Sequence, residues 1–453
     1  MATDKHIPIL YDKPMKKWFI LFSAILFVFR GAFSTYIFQD DFFLFVSSRI
    51  LDLGPLKSYG FYRPIGIDLF YYTAGIINNL AITHVFIFIV FGLGLIFLYK
   101  SFNLFFKNSF SFLATVMYAL SFNHVYQLYW LATFQEVVMF TFCAASFYLF
   151  FRKNLLFIPF FIFAALSREE AFLLPVLILA ILVFKKLFDR KLIMQLFILI
   201  ILTIPFVILY EVNYGQVAVR PEYAPQFNLK IISNNFLWYF FWSLGLPGFL
   251  PDFLPSIFAK PLPGLWQTIQ NTGAYWYLGF LVCYLTVFVF VFKKPVIKFG
   301  AFCLFLFSIY IIPISFIIHK WPVRLTIPLI FIILFQAFII TKLNKYLVAM
   351  LLVLYFTYNF LAISVHENTS TYKYESSISL KAKNIISNNN CLYFADDVES
   401  KSGWEGSQKL KLTLFDQWFT RYYRPDKNIK VYYGFETKVA PVGCTIINSR
   451  DLL

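Results

Sequence analysis

The sequence predicts an all-α polytopic membrane protein of about 11 transmembrane helices, ending in a small C-terminal extracytoplasmic α/β domain. Three observations predict it. Hydrophobic residues make up 60% of the 453 residues and charged residues only 14%, with a mean hydropathy of +0.70. A soluble domain of this size needs far more charge to cover its surface, which excludes a soluble globular enzyme. The apolar residues fall in eleven stretches parted by short polar breaks, and from about residue 365 the composition becomes that of an ordinary soluble domain. Five cysteines in 453 residues exclude a small disulfide scaffold. The net charge of +16 does not indicate nucleic acid, because the basic residues sit in short clusters between apolar runs, as cytoplasmic loops facing anionic lipid do.

The candidate spans are 18–38, 84–100, 110–127, 136–151, 155–167, 170–187, 192–210, 275–293, 299–317, 323–341 and 346–364. A span needs about 20 apolar residues to cross about 30 Å of hydrocarbon, and several of these are shorter. With the N-terminus inside, the cytoplasmic segments hold Lys5, Lys13, Lys16 and Lys17, then Lys100 and Lys107, then Arg152 and Lys153. Further along they hold Lys185, Lys186, Arg190 and Lys191, then Lys293, Lys294 and Lys298, then Lys342 and Lys345. The outer side holds Arg49, Lys57 and Arg63 in one long loop and Arg220, Lys230 and Lys260 in another. This bias predicts a multi-pass protein of the cytoplasmic membrane with its N-terminus inside and its C-terminal domain outside. The first apolar run has the basic flank of a signal peptide. It lacks a small-x-small cleavage site and contains Arg30, so it reads as an uncleaved span.

The membrane domain therefore covers 1–364, with outer loops at about 39–83 and 211–274, and the outer domain covers 365–453. The first loop opens on an amphipathic helix over Asp41–Leu53, with Phe42, Phe45, Val46, Ile50 and Leu53 on one face. The second is rich in proline, with an apolar helix expected over Leu229–Leu246, and is the expected lid of any site. In the tail, Cys391–Ala395, Lys430–Tyr433 and Cys444–Asn448 read as strands, with helices near 375–388 and 407–422. Cys391 and Cys444 are either bonded or packed in the core of that domain.

Ionisable residues at membrane depth are expensive, so they are the informative ones. Asp40 and Asp41 directly follow the first span on its outer side. They read as a general base with a tuning or cation-binding neighbour, or simply as an acidic helix N-terminus. Glu136, at the outer mouth of the fourth span, is a second carboxylate for the same cavity or an interfacial residue. Asp41 and Glu136 would be the ligands of any divalent cation, Mg or Mn; the metal itself is not specified by the sequence. Ser167-Arg168-Glu169-Glu170 joins two spans, the first of only about 12 residues, so this turn should lie below the membrane surface. A recessed arginine calls for a wet cavity or a self-neutralising pair. Arg63, Arg168 and Arg324 are candidates to grip phosphate through their planar forks of donors.

The order of these residues resembles the N-terminal module of the GT-C superfamily of integral-membrane glycosyltransferases. That group includes the protein O-mannosyltransferases and the aminoarabinose transferase of lipid A. The resemblance covers about 18–190: first span, Asp40-Asp41, amphipathic helix, Tyr62-Arg63-Pro64, Asn78-Asn79, a cytoplasmic-facing hairpin, Glu136, then Leu166-Ser167-Arg168-Glu169-Glu170-Ala171 leading to Pro175. A weaker echo is Arg324 to Pro328. The resemblance implies a polyprenyl-phosphate-linked sugar as donor and a protein, lipid or glycan as acceptor. It implies Asp40 as the base, Asp41 as its acidic companion, and Glu136 as the second-loop carboxylate. Arg168 stands where relatives often carry lysine, and Leu44 where they often carry an aromatic.

Rival classes are a membrane transporter or flippase, a protein resembling an O-antigen polymerase, and a non-catalytic scaffold presenting the outer domain. A transporter would show an internal repeat and charges at the midplane of several helices. A polymerase would carry key arginines in two large outer loops without an acidic pair after the first span. A scaffold would need no recessed charges.

Overall fold

The computed structural model describes residues 14–56, 60–215, 223–290, 294–369, 371–386, 389–396 and 406–453. Of the charges that set the expected orientation, Lys5, Lys13, Lys57, Arg220 and Lys293 lie outside the described residues. Each of the eleven apolar stretches contains a helix. These are α1 (Pro14–Val28), α4 (Leu80–Phe102), α5 (Asn108–Ala119), α7 (Phe134–Phe151), α8 (Phe157–Ala165), α9 (Leu174–Lys185), α10 (Arg190–Tyr214), α14 (Ala274–Phe290), α15 (Lys294–Ser315), α16 (Pro328–Ile340) and α17 (Lys345–Thr369). Between them lie the shorter helices α2 (Asp40–Ser47), α3 (Phe70–Ile77), α6 (Val125–Leu128), α11 (Leu229–Leu244), α12 (Leu250–Phe253) and α13 (Leu265–Asn271).

Among the described residues, five helices are long and apolar enough to cross a membrane, or six if the bent pair α13 and α14 counts as one span. The chain is therefore a mostly helical membrane protein. The remaining apolar helices are shorter than a full crossing. Helix α7 is the hub, with 72% of its apolar window buried against 22% for α10, which turns most of its surface outward. Local chemistry fixes the joints. Asn78 takes the left-handed conformation that ends α3 (φ 46°), and Asn79 then caps α4 by accepting from the Ile82 N–H at 3.1 Å.

The amphipathic helix of the first loop stops at Ser47 instead of running to Leu53. Its first two turns are buried against the outer domain, whereas Ile50 and Leu53 are exposed and leave no apolar face for further turns to cover. The C-terminal domain, outer in the expected topology, comprises α18 (Thr371–Ile386), β1 (Cys391–Ala395), α19 (Ser407–Leu414), α20 (Trp418–Tyr423), β2 (Lys430–Tyr433), β3 (Thr445–Asn448) and α21 (Ser449–Leu452). Its sheet is parallel throughout, in the order β2-β1-β3, and a Cys391–Cys444 disulfide ties β1 to the start of β3. The helix expected over 407–422 is two helices, because Phe415 and Asp416 both take positive φ (52° and 57°).

That domain docks on the membrane bundle through α20 and α2. Phe42 meets Phe419, Tyr422 and Tyr423 edge to face, and Phe43 packs on Trp418 at 4.7 Å between ring centres. Arg49 donates to the carbonyls of Arg421 and Tyr422 at 2.9 and 3.0 Å.

Candidate active site

Two irregular segments build the floor. Pro64 opens a six-residue π-helical turn, Pro64–Leu69, a geometry frequent at functional sites. It is laced to the turn between α8 and α9 by Ile65 N–H donating to Leu166 O at 3.1 Å. Gly66 permits the approach: a Cβ there would come within 2.5 Å of Ser167 O and 2.7 Å of Gln135 Cβ. Helix α8 has nine residues, about 14 Å at 1.5 Å per residue, shorter than the 12-residue span expected to lead into the 167–170 turn.

Charge is neutralised locally in this floor. Arg63 Nε and Nη2 donate to the two oxygens of Glu169 at 2.8 and 2.5 Å, and its Nη1 donates to Gln135 Oε1 at 2.7 Å. Its guanidinium also lies 4.2 Å from the centre of the Phe61 ring. Arg168 Nε donates to Glu170 Oε2 at 2.6 Å, and its Nη1 lies 2.9 Å from Glu136 Oε1. Arg63, Arg168, Glu136 and Glu170 are all buried.

Above this floor is a cavity of about 480 Å³, lined by Asp40, Arg63, Arg168 and Arg324 among aromatic walls. Arg324 comes from the 3-10 turn Pro322–Leu325 that leads into α16. It makes no ion pair among the described residues. Asp40 is the first residue of α2, and the backbone before it is held in an unusual state: Gln39 has φ 50° and ψ −129°. The outer domain secures it. Gln39 N–H donates to Thr413 O at 2.7 Å, and its side-chain amide donates to Glu375 Oε2 at 2.6 Å.

Four predicted residues, Asp40, Arg63, Arg168 and Arg324, thus meet at one cavity; Asp41 and Glu136 do not line it. Asp41 is fully buried on another side of α2, where it accepts from Tyr71 Oη at 2.5 Å and from Phe38 N–H at 3.3 Å. Burial pushes its carboxyl up to about 7, against the opposing pull of the Tyr71 hydrogen bond. Glu136 sits behind Arg168, committed to that guanidinium. The two carboxylates expected to share a divalent cation are therefore spent on separate partners. Among the described residues no group of three His, Cys, Asp or Glu side chains is placed to hold a metal. Arg30 donates to Phe27 O at 2.9 Å on the exposed side.

Sequence reasoning missed the roof. Phe415 and Trp418 of the outer domain line the cavity, beside Trp130 and Trp321. The proline-rich loop, expected as the lid, contributes Tyr223 here and otherwise borders a neighbouring chamber. The only sequence signal was the run of aromatics from Phe415 to Tyr423, which hydropathy cannot tell from a small domain's own core.

A comparison of the chain with known protein families finds no match, and a comparison with curated proteins finds none. What the cavity can do rests on its own chemistry. It offers one carboxylate able to take a proton and one uncommitted guanidinium able to hold an anion, between aromatic faces, over a floor fixed by ion pairs.

Proposed function

We propose that the protein is an inverting glycosyltransferase that moves a sugar from a polyprenyl-phosphate donor to an acceptor hydroxyl outside the cytoplasmic membrane. The observation that carries this reading is the convergence of Asp40 with Arg168 and Arg324 on one cavity. In the reaction the acceptor oxygen attacks the anomeric carbon and its proton passes to the Asp40 carboxylate. The carbon–oxygen bond to phosphate breaks, and the electron pair leaves with the lipid phosphate. Arg324 takes up that charge, supported from the floor by Arg168. Arg63, whose three nitrogens already hold Glu169 and Gln135, fixes the turn instead of gripping phosphate. No step is assigned to a divalent cation.

An apolar cleft among α4, α7, α9, α15 and α16 supports a lipid-borne donor. It starts at Leu174 and Ile327, about one helical turn from Glu170 and Arg324, and runs to Lys185 with no polar surface on the way. The orientation belongs to the same proposal: all eleven apolar helices lie in the membrane, N-terminus cytoplasmic and outer domain extracytoplasmic, supported by the clustering of lysine and arginine in alternate connections.

The test is transfer from radiolabelled polyprenyl-phosphate hexoses in membranes carrying the protein. Wild type should label an acceptor, and Asp40→Asn should lower turnover by roughly 10²–10⁴-fold at unchanged protein level. Normal turnover in that variant removes Asp40 as the base; no transfer from any donor removes the reading as a whole.

A further inference from the structure

Beside the reaction cavity lies a second chamber of about 290 Å³ that the transfer step leaves unused. Trp130 and Trp321 line both spaces, with ring centres 4.8 Å apart, and form the wall between them. Gln39 lines the second chamber and the next residue, Asp40, lines the first. The carboxylate therefore stands where the two spaces adjoin.

The lining of the second chamber is of two kinds. Tyr126, Trp242 and Tyr372 supply aromatic surface, while Asp252 and Lys320 supply one charge of each sign. Asp252 is presented by α12, in the proline-rich loop that follows the left-handed turn at Gly245 (φ 115°). The indole N–H groups of Trp130 and Trp242 are buried and find no acceptor among the described residues.

These features select among ligand classes. A lipid chain would match a lining of almost wholly apolar side chains, as in the cleft that ends at Lys185. A phosphate would need an excess of cations, and here the two formal charges cancel. An extended peptide would need a strand edge to pair with, and the walls are helices and turns. A saccharide ring offers apolar faces to stack on aromatics and a rim of hydroxyls for carboxylate, ammonium and amide. The volume suits a small ligand, being close to the lower end of the range of roughly 300–1,000 Å³ for such sites.

We propose that the second chamber is a carbohydrate-binding subsite, and that it holds the acceptor sugar with one hydroxyl presented past the tryptophan wall to Asp40. The word acceptor rests on the proposed transfer; the binding of a sugar does not.

The experiment separates the two. Purified full-length protein in detergent is applied to an array of neutral oligosaccharides, alongside Asp252→Asn and Lys320→Gln. Undecaprenyl phosphate binding is followed on the same wild-type sample and on Arg324→Gln by native mass spectrometry. Wild type should bind a subset of the glycans, and each chamber variant should weaken that binding at least tenfold with an unchanged melting temperature. Glycan binding without lipid-phosphate binding would uphold the chamber and count against the transfer reading alone. Failure of wild type to bind any glycan, or full binding by both chamber variants, would overturn the subsite.

Discussion

Arg168 and Arg324 look into the same cavity, yet one is flanked by Glu136 and Glu170 while the other meets no carboxylate at ion-pair distance among the described residues. The difference separates charge that builds from charge that works. A guanidinium sealed into a floor must be neutralised on the spot, because leaving it bare costs several kcal/mol and even a good pair barely repays desolvation. A guanidinium meant for a visiting anion has to be left uncommitted, on a turn that solvent can reach. Arg63 belongs with Arg168 in this respect, its fork filled by Glu169.

The contrast is breakable by substitution, and the largest effect expected in the molecule is the loss of turnover in Asp40→Asn described above. Next comes Arg168→Leu, which strands Glu136 and Glu170 without their shared partner. It should cost about 3–5 kcal/mol of stability and show as a steep fall in melting temperature and membrane yield. Arg324→Gln should do the opposite, leaving the melting temperature within a degree or two while lowering polyprenyl phosphate affinity about tenfold, or roughly 1.4 kcal/mol. Equal losses of stability in the two variants would erase the distinction between the walls.

A further test concerns Asp41, whose effect is read as a slope with pH. Its carboxyl is raised in the folded protein to about 7 from 3.8, so the folded state holds the proton more tightly than the unfolded chain. The associated stability is complete below about pH 4 and is lost as pH rises towards 7, by at most about 1.4 kcal/mol per unit. Asp41→Asn should flatten that slope in melting curves taken from pH 4 to 8. An unchanged slope would show that another group titrates.

Much of this was legible beforehand, and what was not has a physical reason. Apolar run length placed a helix in every expected stretch, since burial of a contiguous apolar segment leaves the backbone little choice but to bond to itself. The cost of charge at depth pointed to Arg63, Arg168 and Arg324 before any geometry. Direction was invisible: Asp40 and Asp41 are adjacent in the chain, but successive residues on a helix point about 100° apart, so one lines the cavity and its neighbour bonds Tyr71. Partnership across distance was invisible too. Nothing local tells Arg63 that Glu169 awaits it, or tells Phe43 that Trp418 of the tail will cover it.

The hold on Gln39 has a consequence in time. Its two tethers, Thr413 and Glu375, are more than 330 positions downstream, so a ribosome finishes every helix of the bundle before the pair that sets Asp40 is complete. A chain halted after α17 would insert, carry all three arginines and remain silent in the transfer assay. On the proposed reading, competence would arrive only with the last segment made.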